Sequence, residues 1–364
     1  MKKILLQVPS PMLGNNKLFS KEIEVNNQND IWRALKRRFS ELGYEVKTAD
    51  ANTLDNCEKI LFIDSMGVDG LNISRGGIKA NIKNFFGIKT PRSWPVRALY
   101  REAIEKGMRD KLVLFLWEGK AVNPHNYIKE TWDKFDHIFT WNDDLVDNKK
   151  FFKFYLPTPT QKRPDSPLSF SEKKLLVNIS RNIRSTDRNE LYSERRKTIQ
   201  YFDSHYPHDF DLFGLKWHQP VTRMEKLFPW LIKKYVTHQG MCGDKIEVLS
   251  RYKFALCYEN LKGEKGYITE KIFDALIAGT VPIYWGASNI HDYVDQKAFI
   301  DRRKFKNNKD LANYLINLKE KEYNEMLRAG QGYLQSEKFK KFSPEYFCDN
   351  IIKTLKIKNN EKYS

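Results

Sequence analysis

The sequence lacks any apolar run approaching the roughly 18 residues that cross a bilayer, so no membrane-spanning helix is expected. Its opening, MKKILLQVPSPMLG, offers only Ile4–Leu6 before polar Gln7, too little for a signal peptide. Cysteine is sparse. Cys57, Cys242, Cys257 and Cys348 are scattered without a CxxC pair, which excludes a disulfide scaffold and the usual zinc spacings. This pattern reads as a reduced, cytosolic protein, with Cys257 as a small buried hydrophobe. The seven histidines show no HExxH spacing, and no internal repeat is present. Acidic residues are also in deficit: 46 Asp and Glu against 63 Lys and Arg leave a net charge of +17. Such a charge suits nucleic acid, an anionic membrane surface, or plain solubility. No helix-turn-helix, zinc-finger or RNP-type motif supports the first, so nucleic acid is not expected as a partner.

What is present is a core. Hydrophobic residues make up 41% and aromatics 13% of 364 residues, enough for two domains of ordinary size. The N-terminal half alternates strand and helix: Lys2–Val8, a helix near Asp30–Leu42, then Tyr44–Thr48 and Lys59–Ile63. A long glycine-bearing stretch from Asp64 to Pro95 carries no assignment and is a candidate acceptor loop or an ordinary insertion. A helix near Val96–Lys106, a strand Leu112–Trp117 and a strand His137–Trp141 follow. Leu156–Pro167 reads as a proline-rich linker, after which strand Lys174–Ile179 restarts the rhythm. This alternation predicts an α/β protein with mostly parallel sheets. Residues 1–160 form the first domain, 161–335 the second and 336–364 a basic helix or tail. That tail either closes back on the first domain or contacts a membrane.

The densest signal runs from Tyr258 to Gly286, YENLKGEKGYITEKIFDALIAGTVPIYWG. Strand Tyr252–Tyr258 leads through a polar loop to a helix opening at Thr269, which Gly279 stops before strand Val281–Trp285. Ligands of open parallel sheets sit outside the strands' carboxyl ends, and a helix N-terminus there attracts anions. Thr269 can cap the helix, Lys271 supplies a positive charge, and Glu270, Asn260 and Tyr267 supply polar groups. The set suits a ligand that is part pyrophosphate and part sugar. Chemistry alone leaves equally open an ordinary βαβ turn with a solvated Glu-Lys pair.

Tyr258-Glu259-Asn260, Tyr267-Ile268-Thr269-Glu270-Lys271 and Val281-Pro282-Ile283 together resemble the donor-binding signature of the α1,3-fucosyltransferases, with Tyr284-Trp285-Gly286 similar to the bacterial branch. The resemblance implies two Rossmann-like domains in the GT-B arrangement, with GDP-fucose held by the second and the acceptor by the first. It also implies that Arg195 or Arg196 clamps the donor pyrophosphate, a task suited to a guanidinium fork, without choosing between them. WEGKAVNPHNY followed by FDHIFTW is similar to the family's general-base region and points to Glu118, at the end of an apolar strand. Glu130, in a predicted helix, is the weaker rival. Asp209-Phe210-Asp211 precedes Leu212-Phe213-Gly214 in a way similar to a structural strand of the family rather than a metal site. Trp217 and Trp230 are expected in the core. The resemblance ends with a strand Lys297–Ile300 and a helix Asp310–Leu318.

The resulting expectation is an inverting, metal-independent fucosyltransferase with no cofactor, GDP-fucose being a substrate. It acts on an oligosaccharide or glycolipid acceptor from the cytoplasmic side, with peripheral membrane contact as an option. The same fold using another GDP-deoxysugar, or a non-catalytic glycan- or nucleotide-binding protein, remains open.

Overall fold

A computed structural model of the chain describes residues 1–8, 13–20, 29–65, 68, 97–159, 161, 162, 164 and 168–360. Most of the glycine-bearing stretch from Asp64 to Pro95 therefore lies outside the described residues. Two compact units emerge: residues 1–155 with 344–364, and residues 156–343.

Among its described residues the first unit carries six strands: β1 Lys2–Gln7, β2 Tyr44–Thr48, β3 Cys57–Ile63, β4 Leu112–Leu116, β5 His137–Thr140 and β6 Phe151–Lys153. They form one sheet of order β2-β1-β3-β4-β5-β6, and every neighbouring pair is parallel. All five residues of β4, LVLFL, are buried, as expected for a parallel strand covered on both faces. On the Asn29–Ser40 helix the apolar residues Ile31, Trp32, Leu35 and Phe39 are buried, while Arg37 and Arg38 complement its carboxyl end. The Pro344–Thr354 helix belongs to this unit too. Its Phe347 meets Trp32 edge-on, with centroids 6.2 Å apart, and its Phe347, Cys348 and Ile351 are buried.

The second unit holds β7 Lys174–Ile179, β8 Phe210–Phe213, β9 Tyr252–Tyr258, β10 Val281–Trp285 and β11 Ile300–Asp301. Their order is β11-β10-β9-β7-β8, again parallel throughout. Both units are thus α/β with parallel sheets. The predicted strand Lys297–Ile300 is corrected: Asp295 accepts the Lys297 amide and caps a 3-10 turn, which delays the strand to Ile300. Trp217 is in the core, but Trp230 is 76% exposed, against expectation. Asp211 is structural, its carboxylate bonded to Tyr252 Oη at 2.6 Å, Lys174 Nζ at 2.7 Å and Gln239 Nε2 at 3.0 Å.

Candidate functional site

β9 leaves the sheet on Tyr258 and delivers Glu259, whose side chain is wholly buried. Its carboxylate accepts the Thr269 amide at 2.8 Å, the Thr269 hydroxyl at 2.8 Å and the Lys271 ammonium at 3.1 Å. Lys271 Nζ also donates to Thr269 Oγ1 at 2.9 Å. This arrangement corrects the expected cap. Thr269 stands at the N-cap of the Glu270–Ile277 helix, but its hydroxyl turns to Glu259 instead of the helix amides. A buried carboxylate needs such partners because desolvation penalises an unpaired charge. Gly286, just beyond β10, makes room for it: a Cβ there would come within 2.4 Å of Glu259 Cγ.

Arg195, near the start of the Tyr192–His205 helix, is 4% exposed. Its guanidinium donates to the carbonyls of Tyr258 and Glu259, the latter at 3.0 Å. A small cavity at the carboxyl ends of β7 and β9 is lined by Ser180, Arg195, Lys245, Cys257 and Lys271. Three cationic side chains therefore meet where two parallel strands end. Burial alone would lower the Lys271 pKa, yet the charges of Glu259 and Glu270 raise it above the ordinary lysine value. Glu270 behaves in mirror image. Burial pushes its pKa up, but Lys271 and Lys245 outweigh that and hold it below the usual carboxylate range. Lys245 is anchored by Asp274, which is buried and also accepts Gln161 Nε2 at 2.8 Å.

Asn260 and Tyr267 stand together beside this cluster, with Asn260 Nδ2 3.4 Å from Tyr267 Oη. Tyr267 is buried, and Asn260 is half-buried. Arg196 goes elsewhere. It donates to the Ile183 carbonyl at 2.6 Å and to Ser193 Oγ at 3.0 Å, and it lines a separate cavity. Of the two arginines, the structure brings Arg195 to Lys271 and parts Arg196 from it. Sequence reasoning missed Glu259, Lys245 and Asp274. Glu259 had a signal, an acidic residue directly after an apolar strand, whereas Lys245 and Asp274 are paired only by the fold.

Glu118 belongs to the first unit and follows β4 by two residues. Its amide and that of Trp117 both donate to Asp64 Oδ1, at 3.0 and 2.9 Å. Its carbonyl accepts Asn126 Nδ2 at 3.2 Å and Tyr127 Oη at 3.1 Å. Trp117 is clasped by Trp32, Phe154 and Phe347, with centroids 5.3, 5.7 and 5.8 Å away. The backbone at Glu118 is therefore fixed from both sides and its side chain is half-buried. Glu130 sits exposed on the Lys129–Trp132 helix.

Two parallel-sheet α/β units with functional groups at strand carboxyl ends define the GT-B class of glycosyltransferase folds. Solved structures agree. The crystal structure of an alpha1,3-fucosyltransferase with GDP-fucose has a TM-score of 0.53 at 15% identity, over 97% of this chain and 90% of that one. T4 phage BGT with its UDP-glucose substrate has a TM-score of 0.54 at 14% identity, over 98% of this chain and 100% of that one. Residues 186–363 match glycosyltransferase family 10 (fucosyltransferase) C-term. The Alpha-(1,3)-fucosyltransferase FucT of Helicobacter pylori is 44% identical over 72 residues, 20% of this chain and 15% of the relative. The Alpha-(1,4)-fucosyltransferase of Arabidopsis thaliana is 49% identical over 70 residues, 19% of this chain and 17% of the relative. The matched stretches are thus under a fifth of those relatives' length.

Proposed function

We propose that the protein transfers L-fucose from GDP-β-L-fucose to a hydroxyl of a galactose- and N-acetylglucosamine-containing glycan, in α1,3 linkage and with inversion. One observation carries this reading: Arg195, Lys245 and Lys271 converge on one small cavity at the ends of β7 and β9, inside the region that matches the fucosyltransferase family. Cations fixed in advance at such a place stabilise the negative charge that develops on a departing nucleoside diphosphate. Lys271 and Arg195 take the diphosphate in this scheme, helped by the amides opening the Glu270–Ile277 helix. Glu270, only half-buried, and the Asn260–Tyr267 pair take sugar hydroxyls. The two cations neutralise the diphosphate without a bound metal, and the reaction needs no cofactor.

In this reading the first unit holds the acceptor, and Glu118 removes the proton of its attacking hydroxyl as the fucosyl C–O bond to the diphosphate breaks. A backbone pinned by Asp64 and Asn126 gives such a base a fixed origin. A peripheral contact with an anionic membrane also belongs here. It is supported by exposed Leu227, Phe228 and Trp230 beside exposed Lys226, Lys233 and Lys234.

The test is incubation with GDP-fucose, and separately with other GDP-deoxysugars, over a panel of N-acetyllactosamine-type and lactose acceptors. Mass spectrometry is expected to show one deoxyhexose added from GDP-fucose, and Glu118→Gln to lose most of that turnover while still binding GDP. Transfer from no donor, with GDP bound, contradicts an enzyme; full activity of Glu118→Gln removes that residue from its role.

A further inference from the structure

We infer that Asp64 is a positioning residue for the proposed transfer: its carboxylate fixes the place from which Glu118 takes the acceptor proton. This inference rests on the reading above and adds to it a residue that acts through another. Asp64 is a backbone outlier. Among the described residues, seven that are not glycine have positive φ, and of these Asp64 alone is buried, 3% exposed at φ 64°. Aspartate enters the left-handed region more readily than most residues because its short polar side chain bonds locally. Such outliers persist where their surroundings over-determine them, and they gather at functional sites.

Asp64 directly follows β3. Its amide still donates to the Phe115 carbonyl at 2.9 Å, just past the last register pair of β3 with β4, Ile63 with Phe115. The left-handed residue then turns the chain off the sheet. Beyond that point the Asp64 side chain, not the strand, meets β4's exit: Oδ1 accepts the amides of Trp117 and Glu118 at 2.9 and 3.0 Å. Backbone amides leaving a buried strand need such partners, because an unpaired one is costly.

The same oxygen holds a third donor. Asn126, fully buried, bonds through Nδ2 to Asp64 Oδ1 and to the Glu118 carbonyl, the latter at 3.2 Å. Asn126 Oδ1 in turn accepts the Ser65 amide at 2.8 Å and Asn123 Nδ2 at 3.0 Å. Its carbonyl accepts Trp132 Nε1 at 2.7 Å. Glu118 is thus gripped at its amide by Asp64 and at its carbonyl by Asn126 and Tyr127, while its side chain stays half-buried.

The choice of residue separates this from an ordinary turn. Glycine adopts the left-handed backbone without a Cβ penalty, yet the chain carries an aspartate there, so the side chain and not the turn accounts for it. An ionised acceptor holds amide donors roughly twice as strongly as a neutral one. Two of the three bonds on Oδ1 come from groups that themselves belong to Glu118 or bond it, its own amide and Asn126 Nδ2. Precision matters at such a place, since a reacting group displaced by about 1 Å can lose on the order of 100-fold in rate.

Steady-state transfer by the full chain, with GDP affinity from calorimetry and thermal melts alongside, tests this. Asp64→Gly keeps the turn and removes the acceptor; its kcat is expected to fall about 100-fold with GDP affinity and donor KM unchanged. Asp64→Asn keeps Oδ1 and tolerates the backbone, so it is expected to stay within about tenfold of the wild type; it decides alone should the glycine variant not fold. On a Glu118→Gln background, Asp64→Gly is expected to add little, because the two residues act as a unit. Wild-type turnover in Asp64→Gly, GDP affinity falling in step with kcat, an equal loss on the Glu118→Gln background, or a loss of about 100-fold in Asp64→Asn overturns the inference and leaves the donor reading standing. Wild-type protein that binds GDP but transfers no sugar overturns the enzyme reading and this inference with it.

Discussion

Lys271 Nζ lies 3.1 Å from Glu259 Oε2, and the two are bridged by the Thr269 hydroxyl, so strand β9 and the following helix are joined by a buried ion pair. Glu259 is fully buried, while the Lys271 side chain remains 23% exposed. The lysine is therefore held by a carboxylate on one side and open to a ligand on the other. Replacing the carboxylate strands the ammonium. Glu259→Gln is expected to lower folding stability by about 2 kcal/mol, less than for a wholly buried pair because solvent screens the lysine. Urea unfolding measures this, and a variant as stable as the wild type removes the pair from its structural role.

Gly286 sets the space for that carboxylate. A methyl group there would lie 2.4 Å from Glu259 Cγ and 2.5 Å from Tyr284 Oη, both fixed by burial and hydrogen bonds. Gly286→Ala is expected to cost about 1–3 kcal/mol and to reduce transfer by displacing Glu259 from Lys271. Gly243→Ala, where an added Cβ meets none of the described residues within 4 Å, is the control and is expected to be neutral. Equal melting temperatures for the two variants contradict this packing.

The thiols give an independent check on the core. Burial pushes the Cys57 thiol up to about 11 and Cys348 up to about 12, and raises Cys257 as well. Cys242 is also raised by burial but is only partly covered. Since the thiolate is the reactive form, native protein at about pH 8 is expected to alkylate at Cys242 alone, and slowly. Denatured protein reacts at all four. Peptide mapping that finds Cys257 labelled in the native state contradicts the placement of β9.

Much of this was legible in the sequence because the second unit is built from long apolar strands. β7, β9 and β10 fall on the residues predicted for them, since Leu175–Val177, Phe254–Tyr258 and Val281–Tyr284 are continuous buried runs. Other features depend on partners remote in the chain. The Glu320–Leu334 helix was missed because Gly330 and Gly332 lower its helix propensity. Gly330 is explained only by packing, as a Cβ there would approach Leu276 Cδ2 to 2.9 Å. The edge strand Phe151–Lys153 is three residues long, too short for alternation to show. Thr269 looked like a cap because threonine at a helix start usually is one. Its hydroxyl is diverted by Glu259, ten residues earlier, and nothing local signals that. The separation of Arg195 from Arg196 likewise needed the cavities on either side of the helix.

The most direct test of the central claim, that Lys271 and Arg195 form the diphosphate site, is the GDP affinity of Lys271→Ala by titration calorimetry. Loss of a charged partner is expected to weaken binding at least about tenfold, while Lys309→Ala, an exposed lysine on the Asn308–Asn317 helix, leaves it unchanged. GDP binding to Lys271→Ala as tight as to the wild type contradicts the account.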